Sequence, residues 1–228
     1  SELALHNRLE PGSAIPDSGL LRRYQFNNDS DATTATDSKG SNDGTINGAT
    51  YTTSAAEGSH ALSFDGTDDY VSIPSFSQFG SYTIVSWLYK DTFNAIENAW
   101  YFQENNIISL RTRDTTSGSR AVSNGIELVH NDGSTSVYAE SEFDTGRYQM
   151  FAGTWDGSTV RIYRDENDSI TEKDSVSMSA MGSKVRGTAI GRNNDTASRN
   201  WTGRQDDYLI YNRALSQSEL QQIYDSVA

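Results

Sequence analysis

Phe151-Ala152-Gly153-Thr154-Trp155-Asp156-Gly157-Ser158-Thr159-Val160-Arg161-Ile162-Tyr163 has the pattern of a β-hairpin. Two runs of β-branched and aromatic residues flank Asp156-Gly157, a pair that supplies the positive-φ positions of a tight hairpin turn. The same texture recurs on both sides, as short apolar or alternating segments set between turn clusters. They are Leu20–Phe26, Ala61–Phe64, Tyr70–Ile73, Tyr82–Tyr89, Ile107–Leu110, Gly125–His130, Ser136–Ala139, Thr188–Ile190 and Tyr208–Tyr211. Helical period is absent across this stretch, so an all-β antiparallel sandwich of two sheets is predicted.

Periodicity changes only near the end. Ser216-Gln217-Ser218-Glu219 is a capping box, and Leu220, Ile223, Tyr224 and Val227 repeat at helical spacing, predicting one short C-terminal helix with a face packed on the sandwich. At the other end, residues 1–18 carry Pro11, Gly12 and Pro16 without a sustained period, and are expected to form an arm or docking segment. The folded domain is then 19–228.

Composition narrows the partners. The 228 residues are 35% apolar and contain no cysteine, which leaves oxygen and imidazole as the only metal ligands. A net charge of −13 opposes nucleic-acid phosphate and anionic membranes. The basic residues are 14 Arg and only 4 Lys, a balance that suits a salt-rich solvent, where the Debye length is about 3 Å at 1 M. No segment approaches the roughly 20 apolar residues of a membrane span. The N-terminus lacks the basic and apolar regions of a secretory signal. That fits a signal already removed, or a chain starting near its genetic N-terminus, as in a structural protein of a virus particle.

Several strings in order resemble the laminin-G-like domains of the concanavalin A-like lectin/glucanase group. Gly19–Phe26 resembles the first strand of that family, and Asp37-Ser38-Lys39-Gly40-Ser41-Asn42-Asp43-Gly44-Thr45-Ile46-Asn47-Gly48-Ala49 its polar loop. Ala61-Leu62-Ser63-Phe64-Asp65-Gly66-Thr67-Asp68-Asp69-Tyr70-Val71-Ser72-Ile73-Pro74 is similar to its A-L-x-F-D-G-x-D-D-Y-V-x-I-P block. Tyr82–Leu88, the Asp156-Gly157 hairpin and Gly203–Ser216 match further blocks. The resemblance implies a jelly-roll sandwich. Two positions depart from it: Gln205 stands at a usually apolar place, and Arg164-Asp165-Glu166-Asn167 lacks a turn glycine.

The resemblance also implies a structural Ca²⁺ at the rim, held by Asp37, Asn42 and Asp206, with turn-forming Asx residues as the alternative reading. Asp65, Asp68 and Asp69 equally serve a turn between strands. A sugar site needs an aromatic face beside planar polar groups. Trp100, Tyr101, Asn105, Arg111 and Arg113 fall in one irregular region, and Arg192, Asn193, Asn194 and Trp201 in another. For Trp100 and Trp201, ordinary packing competes with stacking, while Trp87 and Trp155 are assigned to the core. Glu140, Glu142 and Asp144 have the i, i+2, i+4 spacing of glucanase carboxylates but lack the apolar frame around them. His6, His60 and His130 show no ligand spacing, and the Asn28, Asn167, Asn194 and Asn200 sequons occur at the frequency chance gives.

The expectation is a non-catalytic recognition or adhesion module at an extracellular surface, whose partner is a cell-surface glycan or glycoprotein. It would be mounted on a larger assembly such as a virus particle or surface filament through residues 1–18, with a homo-oligomer left open. The alternatives are a decoration protein without glycan binding, and a glucanase-like glycoside hydrolase.

Overall fold

The structure, a computed structural model, describes residues 15–27, 32–75, 80–93, 97–103, 107–112, 125–132, 135–178, 186–193 and 199–227. Among the described residues, sixteen antiparallel strands form two eight-stranded sheets, closed by one helix. The expected jelly-roll sandwich is what the chain forms.

In the first sheet the order is β14(Ser169–Ser177), β13(Thr159–Glu166), β12(Tyr148–Trp155), β7(Tyr82–Tyr89), β16(Thr202–Tyr211), β5(Ala61–Asp65) and β4(Thr50–Thr52). Strand β1(Leu20–Tyr24) pairs with the second half of β16. The second sheet runs β11(Ser136–Glu142), β10(Gly125–Asn131), β9(Ile107–Thr112), β8(Asn98–Gln103), β15(Arg186–Ile190), β6(Tyr70–Ile73), β3(Gly44–Asn47) and β2(Thr34–Ala35).

The Asp156-Gly157 hairpin forms as its sequence dictates. Gly157 has φ of 97°, and the Asp156 carboxylate accepts the amides of Ser158 and Thr159 at 2.8 and 2.9 Å. The β13–β14 turn, which lacks glycine, is made by Asn167 and Asp168, both at positive φ. Short polar side chains tolerate that region better than others do, so the turn closes without glycine.

Alternation along each strand divides the apolar residues into two clusters. Ile84, Leu88, Phe151 and Ile162 from the first sheet meet Ile108, Leu110, Ile126 and Leu128 from the second in the central core. Gly153 lets the layers approach, since a Cβ there would lie 2.9 Å from both Leu128 methyls. The other face of the first sheet, with Val85, Trp87, Met150 and Leu209, is covered by Leu220 and Ile223 of α1(Gln217–Val227). The capping box forms as expected, with Ser216 N–H donating to Glu219 Oε2 at 2.9 Å and Glu219 N–H to Ser216 Oγ at 3.3 Å. Of the expected arm, Ile15 packs against this helix-covered cluster, and the Ser18 carbonyl accepts from Arg213 Nε at 2.7 Å.

One segment differs in kind. Residues 98–103, expected to be irregular, form β8, inserted between β9 and β15 with a bulge between Asn98 and Trp100. The bulge breaks the period of two that marks a strand in sequence.

Candidate functional site

The outer face of the second sheet gathers polar and aromatic side chains in register. Ile108, Leu110, Ile126, Leu128 and Ala139 point into the core, so Ser109, Arg111, Glu127, Val129, Tyr138 and Glu140 alternate to the opposite face. One cross-strand row runs Thr45, Ser72, Ala189, Tyr101, Ser109, Val129 and Tyr138 through seven consecutive strands. At about 4.8 Å per strand it is roughly 29 Å long. Its middle is small and covered, with Ala189, Ser109 and Val129 all buried, while Thr45 and Tyr138 at its two ends are accessible.

The neighbouring row carries charge. Arg111, Glu127 and Glu140 lie side by side on β9, β10 and β11. Arg111 Nε donates to Glu127 Oε1 at 2.5 Å, and the Arg111 guanidinium lies 5.9 Å from the Tyr138 ring centroid. Glu127 is fully buried although it faces away from the core, and Arg111 is an ion-pair partner for it there. On β6 the Tyr70 ring is stacked by the Arg192 guanidinium at 3.2 Å. Two guanidinium–aromatic pairs thus stand on one sheet face. Such a pair offers an apolar surface next to planar donors, which is the combination that sugar rings and their hydroxyls require.

The expected binding residues divide. Arg111 and Arg192 are brought to this face, and Tyr101 holds a place in its central row. Asn105, Arg113 and Asn194 lie outside the described residues, as does the side chain of Tyr101. Trp100 and Trp201 are corrected: both are completely buried in the central core and present no ring face to a ligand. Trp201 is instead covered by the Lys90 ammonium at 4.4 Å, itself ion-paired with Glu97 inside the sandwich. Sequence reasoning missed Tyr70, Glu127 and Tyr138. Alternation along β6, β10 and β11 assigns them to the outer face, but their convergence needs the sheet order.

Asp37 and Asp206, two of the three residues expected to hold calcium, already spend their carboxylates on the protein itself. Asp37 spends its carboxylate on the amides of Arg23 and Lys39, both at 3.1 Å, and of Asn42 at 3.2 Å. Asp206 accepts the amides of Ala56, Glu57 and Asp207 at 2.8, 2.9 and 2.9 Å. Each carboxylate is satisfied by backbone N–H groups, so both organise their own turns. Among the described residues, Asp65, Asp68 and Asp69 do bring carboxylate oxygens within 4.8 Å of one another. There too, oxygens of Asp65 and Asp69 close the turn by accepting the Thr67 and Asp65 amides, both at 2.7 Å.

The i, i+2, i+4 carboxylates lack the shielding of a general acid. Its own backbone amide and Lys173, 3.3 Å away, hold the Glu142 carboxyl below its ordinary range, and Asp144 is half exposed and paired with Arg147 at 3.1 Å. Burial raises the carboxyls of Asp206, up to about 7, and Asp207, up to about 6, and also pushes Asp69 up. All three are tied to Arg23 or to turn amides rather than aimed into a cleft.

Residues 65–221 match the Laminin_G_3 family model, described as the concanavalin A-like lectin/glucanases superfamily. The chain belongs to this family. Three solved structures show how far the laminin-G-like fold extends. Domain 4 of AbnA, a GH43 extracellular arabinanase from Geobacillus stearothermophilus in complex with arabinotriose, superposes with a TM-score of 0.67 at 19% identity, over 90% of this chain and 98% of that one. The binding domain of Paraclostridial Mosquitocidal Protein 1 gives 0.70 at 14% identity, over 91% of this chain and 52% of that one. The ligand binding domain of botulinum neurotoxin serotype D, in complex with N-acetylneuraminic acid, gives 0.69 at 12% identity, over 92% and 51%. This laminin-G-like chain therefore spans about half the length of the two toxin chains, and at these identities the likeness is one of fold. No curated protein matches it.

Proposed function

We propose that this laminin-G-like domain is a non-catalytic carbohydrate-recognition module of a secreted or surface-exposed protein. The observation that carries the reading is the placement of Arg111 over Tyr138, and of Arg192 over Tyr70, on the same outer face of the second sheet. A sugar laid on this face stacks its CH surface on a tyrosine ring, accepts hydrogen bonds from the guanidinium and donates to Glu140. Structures of similar fold were solved with arabinotriose and with N-acetylneuraminic acid bound, which supports a glycan as the partner. No described helix is long and apolar enough to cross a membrane.

The test is a glycan array with and without calcium, followed by titration of the best ligand against Arg111→Ala and Tyr138→Ala. Each variant is expected to weaken binding about tenfold, corresponding to the loss of one stacking or charge-assisted contact. Background signal on every glycan, in both conditions, would remove the reading. Attachment to a larger assembly is proposed through the N-terminal segment. Ile15 packs against the core cluster that the C-terminal helix covers, which supports this segment as the point of attachment. A chain lacking residues 1–14 that still joins its native particle or filament counts against this attachment.

A further inference from the structure

A cavity of about 470 Å³ lies where the β13–β14 turn meets the loop after β11 and the last turn of α1. Its lining includes Asp144, Arg147, Arg164, Glu166, Asp168 and Tyr224. Arg164 is the informative member. Only 5% of the residue is exposed, yet Nε and Nη1 are buried without a hydrogen-bond partner among the described residues. Nη1 faces Asp144 Oδ1 at 3.6 Å, too far for a hydrogen bond, and only Nη2 is engaged, with Glu166 Oε1 at 3.3 Å. A buried guanidinium with two unsatisfied nitrogens costs free energy that an acceptor at this place would recover.

The charge balance narrows what that acceptor is. Arg147 and Arg164 face Asp144, Asp165, Glu166 and Asp168, a net excess of two carboxylates, which repels an anion. Asp165 is committed, to Arg147 at 2.6 Å and to the Met150 amide at 2.6 Å. Asp144, which accepts from Arg147 at 3.1 Å, and Glu166, which accepts from Arg164 and Lys173 at 3.3 Å, are each substantially exposed and keep lone pairs for a further donor beside the unsatisfied guanidinium. A simple cation would satisfy the carboxylates but has no lone pair for Arg164. Vicinal hydroxyls do both, because each accepts from a guanidinium N–H and donates to a carboxylate.

We propose that this cavity binds a neutral, hydroxyl-rich ring, a single sugar residue held between Arg164, Asp144 and Glu166. The Tyr224 ring at the helix end supplies the apolar wall. The site belongs to the edge of the first sheet and does not depend on Arg111 or Tyr138.

The experiment follows the Arg164 side-chain Nε–H resonance of the full chain by NMR during titration with methyl glycosides of glucose, galactose, mannose and arabinose, with inorganic phosphate and glycine as charged controls. A saturable shift with at least one glycoside is expected, unchanged in Arg111→Ala and weakened about tenfold in Tyr224→Ala and Glu166→Gln. If Arg164 itself is needed for folding, those two accessible variants carry the test. The proposal is overturned if no glycoside shifts the resonance, if phosphate or glycine shifts it with higher affinity, or if the glycoside response survives both variants. Loss of the response in Arg111→Ala alone would also overturn it, assigning the sugar to the second sheet.

Discussion

Arg23 and Asp207 meet as a fork, Nε to Oδ1 at 2.9 Å and Nη2 to Oδ2 at 2.6 Å, joining the first strand of the fold to the last. Arg23 also reaches Glu57 at 3.2 Å, and the Asp207 side chain is only 1% exposed. Removing the guanidinium strands a buried carboxylate. Arg23→Leu is expected to cost about 3 kcal/mol of unfolding free energy, and the double variant with Asp207→Leu to regain most of it. Urea denaturation of the three proteins measures this, and equal loss in single and double variants would contradict a paired charge.

The same neighbourhood sets a pH dependence. Burial holds Asp206 up at about 7 and Asp207 at about 6, against 3.8 for an ordinary aspartate. The folded chain therefore holds protons that the unfolded chain has released, so this contribution to stability is complete below about pH 4 and fades as pH rises through 6 to 7. Glu219 acts in the opposite sense. Arg213 holds it at about 2, so its contribution is present above 4.5 and is lost as pH falls toward 2. Unfolding free energy is expected to be higher at pH 5 than at pH 8, with the difference reduced in Asp206→Asn. A free energy that climbs from pH 5 to pH 8 would refute the assignment.

At Gly153 the two sheets approach closely. A methyl group there meets Leu128 at 2.9 Å inside a packed core, so Gly153→Ala is expected to cost about 1–3 kcal/mol. Combining it with Leu128→Val relieves part of the clash, so the double variant is more stable than the sum of the two changes implies. Thermal or urea unfolding reads both effects, and strict additivity would mean that the layers do not meet here.

Trp100 and Trp201 separate packing from recognition. Each is fully buried, so alanine at either position is expected to cost about 3–5 kcal/mol. Substitution by Phe, which keeps most of the volume, is expected to leave glycan affinity within twofold of the parent. A large loss of binding in a folded Trp201→Phe protein would return that ring to the ligand site.

The class of fold, the Asp156-Gly157 hairpin and the closing helix are legible in the order of residues alone. Each rests on interactions between residues near in the chain: turn dihedrals, alternation and a capping box. Alternation within a strand likewise separates Arg111 and Glu127 from their apolar neighbours. Which residues converge is a property of strand order, and here the chain is silent. Tyr138 reaches Arg111 through the β9–β10–β11 register, Tyr70 reaches Arg192 through the β6–β15 pairing, and Arg164 reaches Asp144 where the edges of the two sheets meet. The tryptophans that looked like sugar platforms were claimed by the core, because burying large rings between two sheets releases more free energy than leaving them at a rim. Asp37 and Asp206, which the family resemblance pointed to as metal ligands, accept backbone amides that only the folded chain brings within reach.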